Sequence, residues 1–317
     1  MRRALRFLAA GVLLAAIVGS LLLGWSFRAA SLALPEVAVP LELPSPQVPP
    51  GVGIAALPTG SIRARAMLAF RGGAIDDVRD LAATALLVRH PRGDLLVDTG
   101  FGTAFDAHFA ALPALARATS TYTLQKPAAV RMRENGYDPR RLAGVLLTHA
   151  HYDHVSGVED LPDVPVWASE AEAAFIASGD PLSELARHQT SGRLRSYRFD
   201  GGPYLGFERS FDFWGDGTVV VVPAPGHTPG SVIVFVTLGS GERYALLGDI
   251  VWQLDGLSMP AERPWLVRTL VDHDEAGVRL AIARVLALRR LDPAIHLVPS
   301  HDSRAYRDLP IFPFFAK

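Results

Sequence analysis

His149, His151, Asp153 and His154 stand together in the pattern H-x-H-x-D-H. Imidazole nitrogens and carboxylate oxygens are the usual ligands of zinc and similar divalent metals. With 10 His in 317 residues, composition alone gives this pattern roughly once in half a million windows. A loop that merely happens to be polar is therefore a poor account of it. The apolar run Val145-Leu146-Leu147 precedes it and reads as a buried strand. The motif sits where that strand ends. His149 and His151 project to one side of extended chain. Asp153 and His154 lie past the bend and can reach a second metal.

Three later segments each end in a residue of ligand type. Pro225-Gly226-His227-Thr228-Pro229-Gly230 is a tight loop whose prolines and glycines fix the direction of His227. Leu246-Leu247-Gly248-Asp249 is an apolar run ending in an acid, and Val298-Pro299-Ser300-His301 is one ending in His. Singly, each has an ordinary explanation as a solvent-facing or turn residue. With the first motif they offer five His and two Asp, the complement two metal ions need. The chain has no Cys, which excludes thiolate ligands, disulfides and a Cys nucleophile. Zinc is the expected metal, although the same ligands suit manganese or iron.

Other residues carry weaker signals. Asp98 follows the run Leu95-Leu96-Val97 and is either a turn residue or an acceptor that sets the tautomer of a ligand His. His296 competes with His301, but it lies inside the last strand and His301 follows it. His273 falls near a helix start. His90, His108 and His188 read as surface or structural. Tyr152, Tyr204 and Trp252 line a pocket or belong to the core.

The elements that must position these residues alternate between strand and helix. Strands are expected at Ile62–Phe70, Ala83–Val88, Asp94–Val97, Val145–Thr148, Val164–Trp167, Thr218–Val222, Ser231–Leu238, Tyr244–Leu247 and Ile295–Pro299. Helices are expected at Phe101–Ala118, Leu124–Asn135, Glu170–Ala177 and Asp274–Leu291. The pattern predicts an α/β fold with layers around a double sheet. A net charge of −1 offers no basic surface for nucleic acid.

Before this body come two further segments. Arg2, Arg3 and Arg6 precede an uncharged run from Phe7 to Phe27, long enough to cross a bilayer as a helix. Residues 1–30 thus read as a membrane anchor with its basic end in the cytoplasm, as a signal sequence cleaved near Ala29–Ala33, or as a buried helix of a soluble protein. The first two place the remainder outside the cytoplasm, anchored in one case and secreted or periplasmic in the other. Residues 31–52 include Pro35, Pro40, Pro44, Pro46, Pro49 and Pro50 and read as an extended linker. Its second half equally reads as wrapping the domain surface. Residues 53–317 form the catalytic domain.

The order H-x-H-x-D-H, P-G-H-T-P-G-S, L-G-D and a late S-H, with Leu96-Val97-Asp98-Thr99-Gly100 upstream, resembles the metallo-β-lactamase superfamily. The resemblance implies an αββα four-layer sandwich with metals at one edge between the sheets. It implies that His149, His151 and His227 hold one metal, that Asp153, His154 and His301 hold the other, and that Asp249 bridges them. A bridging hydroxide would then attack an ester or lactone carbonyl, with Asp153 and Asp249 as the catalytic carboxylates. Class B β-lactamases generally lack the bridging Asp, and their best-known subclass uses a Cys, so Asp249 and the absence of Cys argue against that activity. The layout is most similar to the lactonase and ester hydrolase branch. Alternatives are phosphodiester or phosphotriester hydrolysis, thioester hydrolysis, and, in other classes, a di-iron redox protein or an idle metal-binding module. The flavin-binding partner of the redox members has no counterpart in this length, and every ligand position is filled. The expected partners are a small ester or lactone and the membrane through the N-terminal helix; oligomeric state is open.

Overall fold

The computed structural model describes residues 2–38, 43–44 and 46–317. Helix α1 (Arg2–Phe27) comes first, and its stretch Ala9–Phe27 is long and apolar enough to cross a bilayer. The chain continues through β1 (Gly53–Arg65), α2 (Ala66–Ala69), β2 (Val78–Arg89), β3 (Asp94–Val97), α3 (Phe105–Ala110), α4 (Ala114–Thr119), β4 (Thr121–Leu124) and α5 (Ala128–Glu134). Next are β5 (Leu142–Leu146), α6 (Tyr152–Val155), β6 (Val166–Ser169), α7 (Glu170–Ala177), α8 (Glu184–Gln189) and β7 (Leu194–Tyr197). The second half holds β8 (Phe211–Asp212), β9 (Val219–Pro223), β10 (Val232–Thr237), β11 (Arg243–Gly248), α9 (Asp255–Ser258), α10 (Trp265–Val271), α11 (Glu275–Leu291) and β12 (His296–Pro299).

The strands form two sheets, ordered β4-β1-β2-β3-β5-β6-β7 and β12-β11-β10-β9-β8. Alternation along each strand decides which layer a side chain joins. Val88, Val97 and Leu146 of the first sheet meet Val221, Val234, Tyr244 and Leu246 of the second in one core. The other face of the first sheet, with Leu87, Leu96 and Val145, packs on Met132 of α5 and Phe175 and Ile176 of α7. The other face of the second, with Ile233, Ala245 and Leu247, packs on Val278, Ile282 and Val285 of α11. Because both faces are covered, β10 and β11 are buried at every position and read as unbroken apolar runs. The architecture is the expected αββα sandwich.

Three sequence expectations need correction. The helix expected over Phe101–Ala118 is two helices, because Pro113 lacks the N–H that would continue α3 and instead begins α4. Leu124 ends a strand rather than starting a helix: β4 pairs antiparallel with Gly60–Arg63 of β1, and α5 begins only after Pro127. The strand expected to run to Phe70 stops at Arg65, where the chain turns through α2. The two helices with strong amino-terminal signals start as expected. Ser169 caps α7 by accepting from Glu172 N, and Asp274 caps α11 by accepting from Ala276 N.

The Pro-rich segment has no regular structure where it is described, but it is not a free spacer. Leu32, Leu34 and Leu43 pack against the α11 side of the second sheet, and Val48 packs against the core between the sheets. Arg243 donates to the carbonyl of Pro44 at 2.9 Å. Apolar contacts outweigh the extended preference of the prolines and lay the segment on the domain. Pro40 lies outside the described residues.

Candidate metal centre

Strands β3 and β5 run parallel in the first sheet, and β11 and β12 run parallel in the second. Their carboxyl ends therefore open at a common edge. Asp98 follows β3, the H-x-H-x-D-H stretch follows β5, Asp249 follows β11 and His301 follows β12. His227 comes from the loop between β9 and β10. The two sheets are tied at this edge, where Val232 N donates to Thr148 O at 3.1 Å. Gly248 turns the chain here with φ +54°, a conformation L side chains rarely adopt.

All seven side chains expected as ligands meet in one buried cluster. His149, His151 and His227 form one group of ligand atoms, and Asp153, His154 and His301 form another. Asp249 lies between them. Its Oδ2 is 3.1 Å from Nε2 of His301, 3.4 Å from that of His227 and 3.9 Å from that of His149. Its Oδ1 is 3.3 Å from Nε2 of His154. His301 Nε2 also lies 3.3 Å from Asp153 Oδ2.

The far nitrogens of these rings are held by the protein. Nδ1 of His154 donates to Asp98 Oδ2 at 2.8 Å, Nδ1 of His227 to Asp272 Oδ1 at 2.7 Å, and Nδ1 of His301 to the carbonyl of Ala82 at 2.7 Å. These acceptors require an N–H at Nδ1, which turns Nε2 of each ring toward the centre. Asp98 is itself fixed by Thr148, whose N and Oγ1 donate to its two oxygens at 2.8 Å each. Burial holds His149 and His151 well below the usual imidazole range, so both are neutral donors of a lone pair.

A metal is the group that fits this arrangement. Nε2 of His149, His151, His154 and His227 and Oδ1 of Asp249 are buried with no hydrogen-bond partner among the described residues. Five such acceptor-type atoms pointing at one another cannot satisfy themselves, and burying them unmet is costly. Divalent cations are the partners that neutral imidazole and carboxylate share.

Three residues that the sequence did not single out complete the site. Glu172, in the first turn of α7, accepts from Ala150 N at 2.6 Å, Thr228 Oγ1 at 2.6 Å and Gly230 N at 3.0 Å. It thereby joins the two ligand-bearing loops. Asp272 holds His227, as described. Arg263 pairs with Asp272, donates to the carbonyl of Asp249 at 2.7 Å and lies 5.2 Å over the ring of Trp252. The only local sign of any of these was the S-x-x-E spacing of Ser169 and Glu172, an ordinary helix start.

The remaining expectations sort clearly. Trp252 reaches the centre, its indole donating to Asp249 Oδ2 at 2.7 Å. Tyr152 and Trp252 flank an apolar cluster of Phe70, Phe101, Phe105 and Phe109. Tyr204 does not line the site and packs near Phe235 instead. His296 stacks on Tyr244 away from the cluster. His273 and His188 are exposed. His90 is structural, stacked on Trp214 and bonded to Asp216, and His108 bonds to Ser156.

The chain is similar to known proteins. A family profile described as the metallo-beta-lactamase superfamily matches residues 78–301. A probable metallo-hydrolase of Mycobacterium tuberculosis is 31% identical over 240 residues, covering 72% of this chain and 76% of that protein. An N-acyl homoserine lactonase of Rhizobium johnstonii is 25% identical over 234 residues, 69% of this chain and 81% of that protein. Among solved structures, an N-acyl homoserine lactone hydrolase with N-hexanoyl-L-homoserine at its catalytic metal centre superposes with a TM-score of 0.67 at 15% identity, over 83% of this chain and 98% of that one. A dizinc quorum-quenching lactonase superposes with a TM-score of 0.51 at 17% identity, over 91% and 97%.

Proposed function

The chain belongs to the metallo-beta-lactamase superfamily of hydrolases, and on that premise we propose that it hydrolyses a small ester or lactone at a two-metal centre. The observation that carries the reading is the set of buried, unpartnered Nε2 atoms of His149, His151, His154 and His227 around Asp249. His149, His151 and His227 would hold one ion, and Asp153, His154 and His301 the other, with Asp249 shared. Zinc is the default among metals that this donor set suits. When bound, a divalent pair supplies Lewis acidity and a water acidified toward neutrality.

The protein's own groups do the rest. Asp98, Asp272 and the Ala82 carbonyl hold protons on Nδ1 of His154, His227 and His301 and fix the rings. Asp249 places negative charge among four imidazoles, and Trp252 orients it. Asp153 keeps 9% exposure, the largest of the seven. It is placed to move a proton to the departing alkoxide oxygen. Tyr152, next to Asp153, and Trp252, bonded to Asp249, are half-buried and would give an acyl group an apolar surface to rest on. That surface, with the lactonases among the relatives, favours a lactone or ester over a phosphodiester, phosphotriester or thioester.

Gently purified protein is expected to hold about two transition-metal ions per chain and to hydrolyse lactones and aryl esters faster than phosphodiesters. Elemental analysis and a short substrate panel test this. No bound metal, with no activation by any added divalent ion, overturns the metal reading. Faster cleavage of phosphodiesters or thioesters reassigns the substrate.

We further propose that α1 anchors the chain with the catalytic residues outside the cytoplasm. Arg2, Arg3 and Arg6 mark the end that resists transfer. A reporter active only outside the cytoplasm, fused at Lys317, should be active, and carbonate washing should leave the chain in membranes. An inactive reporter reverses the topology. A soluble chain beginning near Leu34 would show that the segment is a cleaved signal instead.

A further inference from the structure

Helix α1 does not leave the domain on a free tether. Leu266 N donates to Ser26 Oγ at 3.1 Å, and Gly72 N donates to Phe27 O at 3.1 Å. Arg71 donates from Nε to Arg28 O at 3.1 Å and from Nη2 to Trp25 O at 3.3 Å, with its guanidinium 5.4 Å from the Trp25 ring. Leu32 N donates to Pro260 O at 2.9 Å. Ser26 is 1% exposed. A helix end held by four hydrogen bonds to two separate segments, with a fifth from Leu32 beyond it, fixes the orientation of the domain relative to the helix axis.

The residues around that joint are apolar and uncovered. In α10, Trp265 is 42% and Leu270 53% exposed, and Met259, next to Pro260, is 43% exposed. Ile75, just past Gly72, is 65% exposed. All four stand in or beside the segments that hold the helix end, and exposed large apolar residues around such a joint mark a binding face. Trp and Arg at the end of an apolar span are the residues that settle at a membrane interface.

We infer that α10, with Met259 and Ile75, seats on the lipid bilayer surface from which α1 emerges. The inference rests on the reading of α1 as a membrane anchor. The occupant is lipid because the face is continuous with the exit of an apolar helix that needs a bilayer. The consequence reaches the metal centre. Arg263, two residues before α10, touches Asp249, Asp272 and Trp252. One buried side chain thus links the segment before the seated face to Asp249 and Asp272 of the centre.

Because the chain has no Cys, Leu270→Cys, Met259→Cys and Ser240→Cys each carry a single nitroxide. Ser240 lies in the turn between β10 and β11, at the opposite end of β11 from Asp249. The full chain is reconstituted in vesicles of phosphatidylcholine and phosphatidylglycerol. Collisions with oxygen, which concentrates in lipid, are compared with those of a water-soluble nickel chelate. Labels at 270 and 259 are expected to favour oxygen several-fold over the label at 240, which should favour nickel. If 270 and 259 behave like 240 while the chain stays in carbonate-washed vesicles, the face is free and the inference fails. Shielding from both reagents would mean a protein partner, such as a second copy, and also overturns it. Release of the chain by carbonate sinks the anchor reading and this inference together.

Discussion

Asp249→Ala is expected to lose both metal ions and nearly all hydrolytic activity, while His296→Ala keeps both. The carboxylate of Asp249 lies within 3.9 Å of Nε2 of four different histidines, whereas Asp153 pairs with His301 alone. Its removal leaves five imidazoles facing one another with only Asp153 to offset the charge of two cations. The loss should exceed the roughly 10–100-fold in affinity that removing a partner behind a ligand costs. His296 offers the contrast. It is a histidine five residues from His301, half-buried, stacked on Tyr244 at 4.6 Å and 3.9 Å from Glu242. It sits at the start of β12, whereas His301 follows the strand's end. Elemental analysis after gel filtration and rates on the best substrate read both variants. Full metal content in the Asp249 variant would sink the shared-carboxylate assignment. An active His301→Ala beside a dead His296→Ala would reverse the choice between the two histidines.

The ligand cluster was legible because each of its members ends a strand or sits in a loop with its own local signal. An apolar run followed by His or Asp, or a His between Pro-Gly pairs, can be found without knowing what it meets. The supporting groups have no such signal. Asp272 is 45 residues from His227, and Glu172 is 22 from Ala150 and 58 from Gly230. Only the packing of two sheets at one edge brings them together. Ser169-Glu170-Ala171-Glu172 reads as a helix start and is one, but the Glu side chain turns away from its own helix to serve two loops. The same limit explains β4. Thr121–Leu124 has modest strand character alone and is held by pairing with β1. The docking of the Pro-rich segment was legible only as one of two readings of its second half, since proline content sets its local conformation and not what it lies against.

Glu172→Ala is expected to destabilise the protein by about 2–6 kcal/mol, the sum for two buried donors left without an acceptor, and to weaken metal binding about 10–100-fold. The side chain is 1% exposed, and burial pushes its carboxyl up to about 7 against the pull of its three hydrogen bonds. Those bonds come from Ala150, between His149 and His151, and from Thr228 and Gly230, which follow His227. Alanine leaves the backbone donors of Ala150 and Gly230 buried with nothing to accept them, at about 1–3 kcal/mol each. Water has little room to replace the carboxylate, because the loop presses on the helix start. A Cβ added at Gly230 would lie 2.0 Å from Glu172 N. Glu172→Gln keeps the shape but supplies one acceptor oxygen, and its amide donors then face at least one donor of the loops. It should cost about 1–3 kcal/mol, less than alanine. Urea unfolding of chelator-treated protein reads the stability term alone, and competition with a metal indicator reads affinity. Two effects are needed, because a purely structural role would move the unfolding midpoint and leave affinity in the folded protein unchanged. An alanine variant that matches the parent in both would show that the two loops hold the histidines without Glu172.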